Sequence, residues 1–290
     1  MASEGHSGET THGAGRSNAS LERRAWQIRR HALAMAEVQG QGYVGQALGV
    51  ADVLAVAWFH ALAYRPDDPG WEGRDRFLLS IGHYAIALYA ALIEASVLPE
   101  AEIPTYGADD SRLPMSGMAG YTPGMEITSG SLGQGLGIGV GVALGLKRKA
   151  NPATVHVLLS DGELGEGSVW EAVMSAVQHR LDNLVAIVDF NDQQADGPTT
   201  AALCAEPIEA KWAAFGWHAQ RVDGNDVGAL VAAFDAARDA PAGVPRAIVC
   251  TTRMCRGVPF LEARGNAHFV RVEPSEWTAA RAALDAAEPA

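Results

Sequence analysis

Ser160-Asp161-Gly162-Glu163-Leu164-Gly165-Glu166-Gly167, followed one helix and one strand later by Asn191, is the stretch that decides the fold. The apolar run over 154–159 predicts a strand that ends in this acidic, glycine-rich turn. A helix follows over about 166–181, then a second strand over 184–190 that closes on Asn191-Asp192. Strand, helix and strand make one βαβ unit, in which the two strands run parallel and side by side. Asp161 and Asn191 then both fall at the carboxyl ends of neighbouring strands, where open α/β sheets bind ligands. One carboxylate and one amide oxygen converging there suit a hard cation such as Mg²⁺, which completes its shell from water and a phosphate-bearing ligand. A lone Asp-Gly would be read as a turn or helix cap; the whole constellation points instead to a cation site.

Outward from this unit the chain alternates strands and helices. Leu21, Ala25, Ile28, Ala32 and Met35 recur at helical spacing and predict an amphipathic helix over 21–38. A glycine-rich loop over 40–45 precedes a helix over about 50–62. A short strand over 74–80 leads into a helix opened by Gly82-His83 and running to about 95. Residues 102–128 are rich in turns, a length that in compact domains tends to carry function. The next helix spans 131–149, with Gly133, Gly137, Gly141 and Gly145 on one smooth face. Each glycine costs roughly 1 kcal/mol of helix stability relative to alanine, so such a face predicts close approach of another helix or a ligand. Beyond Asn191 come a loop over 193–205, a helix over about 208–215, a strand over 218–222, a helix over 227–240 and a strand over 246–252. The last segment, 273–290, reads as one short helix and a tail. The expected fold class is α/β: a parallel sheet with helices on both faces.

Composition narrows the function. A net charge of −12 with dispersed acids argues against a nucleic-acid surface. The three cysteines, Cys204, Cys250 and Cys255, are too scattered for a paired zinc pattern and read as reduced cytoplasmic thiols. No run is long and apolar enough to span a membrane. Residues 1–20 are small and polar, without a secretory apolar core, and read as a disordered leader in which His6 and His12 are solvated; 21–290 form the expected domain.

The segment SDGELGEGSVWEAVMSAVQHRLDNLVAIVDFNDQQADG resembles the thiamine diphosphate motif in its transketolase form, and the resemblance runs over nearly the whole chain, 29–268. Ser160 stands where the family has glycine. The resemblance implies the thiamine diphosphate-binding fold. It implies metal ligation by Asp161, the Asn191 side chain and the Gln193 carbonyl, with Mg²⁺ joining the cofactor's phosphates, and cofactor contacts from Gly162 and Glu163 in the same turn. Arg76-Phe77-Leu78-Leu79-Ser80-Ile81-Gly82-His83 is similar to the family segment whose histidine lies against the diphosphate; a histidine at a helix start can donate to phosphate beside backbone N–H groups. Thr128-Ser129-Gly130-Ser131-Leu132-Gly133-Gln134-Gly135 is similar to the family stretch in which the Gly130 carbonyl and Leu132 would touch the aminopyrimidine side. A dinucleotide fingerprint there is off spacing and lacks a preceding strand. Glu166 matches a glutamate lying between paired active sites, and as a helix N-terminal acid it also suits the dipole. His268 resembles the histidine near the reacting carbon; with His83 it is the candidate for proton handling.

Two departures concern the donor. Gly42-Tyr43-Val44-Gly45 and Gly117-Met118-Ala119 stand where the family carries Gly-His-Pro sequences whose histidines handle donor hydroxyls. Tyrosine can still hydrogen-bond, whereas methionine is a poor partner. A hydroxyl-rich donor would lose contacts here; a 2-oxo acid giving an acetyl group would lose fewer.

In the family a second domain supplies the glutamate that contacts the pyrimidine. This chain carries only the first, so the resemblance implies the amino-terminal subunit of a split transketolase, completed by a carboxyl-terminal subunit in an α₂β₂ heterotetramer. The implied activity is transfer of a two-carbon unit from a ketose or ketone donor to an aldehyde-type acceptor. Acyl transfer from a 2-oxo acid and a non-catalytic cofactor-binding partner are the alternatives, and a nucleotide-binding α/β protein is a distant third.

Overall fold

The structure, a computed structural model, describes residues 16–203 and 206–289. The leader histidines His6 and His12 and Cys204 lie outside the described residues. Seven strands occur among them: β1 (Gln41–Gly42), β2 (Arg76–Leu79), β3 (Val155–Ser160), β4 (Leu184–Phe190), β5 (His218–Asp223), β6 (Arg246–Thr251) and β7 (Val270–Arg271). Five form one sheet in the order β2-β3-β4-β6-β5, every pair parallel. The other two, β1 and β7, pair antiparallel, with Gly42 opposite Val270.

The α-helices are α1 (Asn18–Gln39), α2 (Val44–Gly49), α3 (Ala51–Val56), α4 (Ala85–Glu94), α5 (Gln134–Arg148), α6 (Gly167–Gln178), α7 (Thr199–Ala202), α8 (Ile208–Ala214), α9 (Val227–Arg238), α10 (Pro259–Glu262) and α11 (Pro274–Ala286). Strands β2, β3, β4 and β6 are largely apolar and buried on both faces, and alternate residues feed two cores. Leu79, Leu158, Ile187 and Ile248 face α1, α3, α4 and α9. Leu78, Val157, Val188 and Val249 face α5, α6 and α8. Burial on both faces is what the near-continuous apolar runs of β3, β4 and β6 require, and each fully buried aliphatic side chain contributes roughly 1.5–3 kcal/mol.

The structure moves several expected boundaries. Helix α1 begins at Asn18 because the Ser17 side chain caps it, accepting from the Ser20 N–H. The helix expected over 50–62 is α3, which ends in a π-turn, Ala57–Ala61, and a further short helix, α2, precedes it from the end of the expected 40–45 loop. Helix α5 starts at Gln134 because Gly133 adopts a φ of 81°, a left-handed conformation that ends helical continuity on its N-terminal side.

The glycine face of the helix makes no close approach within this chain. Gly133 lies outside the helix, and a side chain at Gly137, Gly141 or Gly145 would meet nothing in this chain within 4 Å. The close approach is made by a different pair one turn apart. A Cβ on Gly135 would sit 2.3 Å from the Ser80 hydroxyl, and one on Gly139 2.6 Å from Val157. These two let α5 lie tight on β2 and β3, which fixes the Gly130–Gly133 loop against the sheet's carboxyl edge.

Candidate active site

Parallel pairing of β3 and β4 puts Ser160 opposite Asp189, so the two turns that follow leave the sheet side by side. Asp161 is 1% exposed. Its carboxylate accepts from the Gly162 N–H (2.9 Å), the Asp192 N–H (2.9 Å) and the Thr199 hydroxyl (2.8 Å). The Asn191–Asp192 turn is therefore held directly on Asp161, and the structure brings together the two residues expected to share a cation. The Asn191 carboxamide donates to Tyr84 (2.8 Å) and Asp189 (2.6 Å), while its oxygen accepts from the Gln193 N–H (3.0 Å).

None of the hydrogen-bond partners of Asp161 is a cation. Burial, and then the neighbouring Asp189, push it up to about 7, against the pull of Thr199 and the two backbone donors. A desolvated carboxylate bonded to the Asn191–Asp192 turn, with no basic side chain on it, has the donor chemistry of a hard-cation site. Among the described residues no three His, Cys, Asp or Glu side chains gather to hold a metal; the expected set has one carboxylate and relies on amide oxygens for the rest.

Sequence reasoning missed the layer underneath. Asp189, fully buried near the end of β4, accepts from Tyr84 (2.8 Å), from Asn191 and from the Thr252 hydroxyl. Burial pushes Asp189 up, and burial with Asp189 beside it pushes the Tyr84 phenol well up. A carboxylate inside the run Leu184-Val185-Ala186-Ile187-Val188-Asp189-Phe190 was the available signal, since acids are almost never fully buried unless they have partners.

His83 follows β2 in a short 3₁₀ turn, Gly82–Tyr84. A Cβ on Gly82 would lie 2.6 Å from the Gly130 nitrogen, so glycine there allows the 129–130 backbone to reach His83's turn. The β1–β7 ladder closes the other side, carrying Tyr43 beside His268 and Phe269. Ring centroids lie 4.5 Å apart for Tyr43–His83, 5.6 Å for His83–His268 and 5.2 Å for Tyr43–Phe269. Gln46 donates to the His268 carbonyl (2.7 Å), and the Gln193 side chain accepts from the Ala267 N–H (2.9 Å), tying the His268 loop to the Asn191 turn. Burial, and then His268, push His83 down to about 4. Burial lowers His268 too, opposed by a hydrogen bond with the Gln193 backbone.

The remaining candidates differ in placement. Gly130 is exposed at the rim and Leu132 is half-buried. Gly162 packs on Gln194, 3.3 Å from where its Cβ would be. Glu163 is fully buried and Glu166 exposed at the cap of α6, where it makes no side-chain capping bond. Met118 is 37% exposed. Cys250 and Cys255 are free and buried, and burial raises both thiols, Cys255 to about 12, so they are inert.

A family profile described as "Transketolase, thiamine diphosphate binding domain" matches residues 21–289. The chain belongs to the transketolase family. It is 67% identical over 93% of its length to an uncharacterised transketolase family protein of Sinorhizobium fredii, covering 96% of that protein. It is 38% identical over 91% of its length to the 6-deoxy-6-sulfo-D-fructose transketolase subunit of a Clostridium species, again covering 96%. The transketolase from Leishmania mexicana superposes with a TM-score of 0.85 at 28% identity, over 93% of this chain but 41% of that one. The chain thus spans less than half the length of that transketolase and nearly all of a separately encoded transketolase subunit. The expected α/β fold and the expected family both hold: this is a transketolase-type thiamine diphosphate-binding domain. Among the described residues no helix is long and apolar enough to cross a membrane.

Proposed function

We propose that this chain is the diphosphate-binding subunit of a two-chain transketolase-like enzyme of the cytoplasm that moves a two-carbon unit from a ketose or ketone donor to an aldehyde-type acceptor. The observation that carries the reading is the buried, cation-free carboxylate of Asp161 held against the Asn191 turn. The Asp161 carboxylate, the Asn191 amide oxygen and the Gln193 carbonyl would hold Mg²⁺, and the Mg²⁺ would hold the cofactor's diphosphate. When bound, thiamine diphosphate supplies the nucleophilic carbon and the electron sink for breaking the bond next to the donor carbonyl.

The chain's own residues do the rest. Gly130 and Leu132 line the aminopyrimidine side. His83, held neutral at physiological pH by burial and His268, offers one N–H to a phosphate oxygen and one bare ring nitrogen to a substrate hydroxyl. His268, on the loop tied to Gln46 and Gln193, completes the pair for proton handling. A carboxyl-terminal subunit supplies the pyrimidine-contacting glutamate in an α₂β₂ assembly, with Glu166 between paired sites.

One observation favours a second reading of the donor. Tyr43 lies tilted against His83 with Phe269 edge-on behind it, an aromatic wall at the position that in the family carries a donor-handling histidine. That suits acetyl or acyl transfer from a 2-oxo acid. The two readings separate in a single-turnover assay with the partner subunit present. A ketose phosphate and a 2-oxo acid are each mixed with cofactor-loaded enzyme, and donor cleavage is followed with the cofactor's circular dichroism. Cleavage of either donor supports transfer and names the class; cofactor binding without cleavage of any donor would leave only a non-catalytic role.

A further inference from the structure

We propose that Glu163 is a positioning residue whose carboxylate clasps three loops, 80–83, 130–133 and 161–163, into one rigid cradle for the cofactor. Each loop carries a separate element of the site: His83, the Gly130–Leu132 turn, and Asp161. They come from distant parts of the sequence, and no strand ladder joins the second of them to the others. The side chain of Glu163 is fully buried. One carboxylate oxygen accepts both the Ser80 hydroxyl and the Gly133 N–H, the latter at 2.7 Å. The Ser80 oxygen in turn accepts the Gly135 N–H at 3.1 Å. The Glu163 N–H donates to the Ser160 hydroxyl at 3.3 Å, so the same residue is anchored to the end of β3.

Gly133 is held from its other side as well. Its carbonyl accepts the Ser168 hydroxyl at 3.0 Å, and a Cβ would lie 2.4 Å from that hydroxyl and 2.7 Å from the Glu166 Cβ. This residue is the hinge between the 130–133 loop and α5, and both its polar groups are fixed by the 163–168 segment. The second oxygen of Glu163 is buried without any partner. Packing alone would favour an apolar side chain at such a position. The carboxylate is explained by the two donors it satisfies, neither of which has another acceptor among the described residues.

The inference depends on the proposed function only for what the cradle holds, so the experiment has two arms. In the first, amide hydrogen exchange is measured on the full chain alone for Glu163→Met, Glu163→Gln and Ser80→Ala. Glu163→Met keeps length but has no acceptor oxygen. It is expected to speed exchange at Gly133 and Gly135 about 10- to 100-fold, the scale of a lost charge-assisted hydrogen bond, with the β3 amides unchanged. Ser80→Ala should do the same at Gly135 in a gentler background. Glu163→Gln keeps an acceptor oxygen and should stay within about threefold of the parent.

In the second arm, thiamine diphosphate with Mg²⁺ is titrated into each variant reconstituted with the carboxyl-terminal partner. Affinity should fall about tenfold or more for Glu163→Met and be rescued in Glu163→Gln. A core control, Val173→Ala in α6, should lose thermal stability without losing affinity. Unchanged protection of Gly133 in Glu163→Met would overturn the clasp, as would lost protection with parental affinity, or an equal loss in the core control. If the parent assembly itself binds no cofactor, the proposed function fails while the exchange arm still decides the clasp.

Discussion

At neutral pH, His83 stands against the cofactor site as a neutral imidazole, and replacing it with glutamine should change how the fold responds to acid. Burial and the neighbouring His268 hold the folded-state value near 4, whereas an unfolded chain would titrate at about 6.5. Between those values the unfolded state binds the proton and the folded state does not, so stability rises with pH. His83's contribution is present in full above about pH 6.5 and is lost as pH falls towards 4. Over the whole window the difference is worth about 3 kcal/mol; between pH 7.5 and pH 5 it is about 2 kcal/mol. For a chain of this size that is roughly 3–4 °C in melting temperature. His156, also lowered by burial, is present in parent and variant alike and cancels in the comparison, while His268, which faces His83, belongs to the couple being measured. Urea or thermal unfolding of the parent and His83→Gln at pH 7.5 and 5.0 gives the double difference. The parent should lose about 2 kcal/mol more than the variant on acidification. Equal losses, or a His83 ring signal titrating near pH 6.5 by NMR, would refute the placement of a desolvated imidazole beside His268.

Gly133→Ala forces a side chain onto a residue with φ 81° and into contact with Ser168 and Glu166. It should lower unfolding free energy by about 1–3 kcal/mol, measured by urea denaturation, and a stability equal to the parent's would mean the turn is not built as described. Tyr43→His with Met118→His should raise kcat/KM on ketose phosphates by about 3- to 10-fold for each restored hydrogen bond. No change would retire the link between these two positions and the donor.

The sheet was legible in the sequence because β3, β4 and β6 are apolar on both faces and lie within a few residues of turn signals. These runs are sharp enough that the expected strands agree with the observed ones to a residue or two. Less legible were features set by single backbone conformations. Gly133 reads as part of a helix by spacing, yet its left-handed φ places it outside. The face that packs is Gly135 and Gly139, half-hidden in a run where every second residue from 133 to 141 is glycine. In the site, the Asp161, Asn191 and His83 signals were local motifs and could be found by reading along the chain. Asp189, Tyr84 and Thr252 form a network across β4, β6 and the 3₁₀ turn that only the strand register brings together. The Tyr43–His83–His268 cluster likewise depends on the two-residue ladder between β1 and β7, too short to leave a periodic trace in sequence.

The central claim is that Asp161 and the Asn191 turn grip a divalent cation that carries the cofactor. The direct test is equilibrium binding of thiamine diphosphate to the chain reconstituted with its carboxyl-terminal partner, with Mg²⁺ and with EDTA, for the parent and Asp161→Ala. Binding in Mg²⁺ that disappears in EDTA and weakens about 100-fold or more in Asp161→Ala is the predicted result, the scale of removing one partner from a buried ion pair. Equal affinity with and without the metal, or parental affinity in Asp161→Ala, would contradict it.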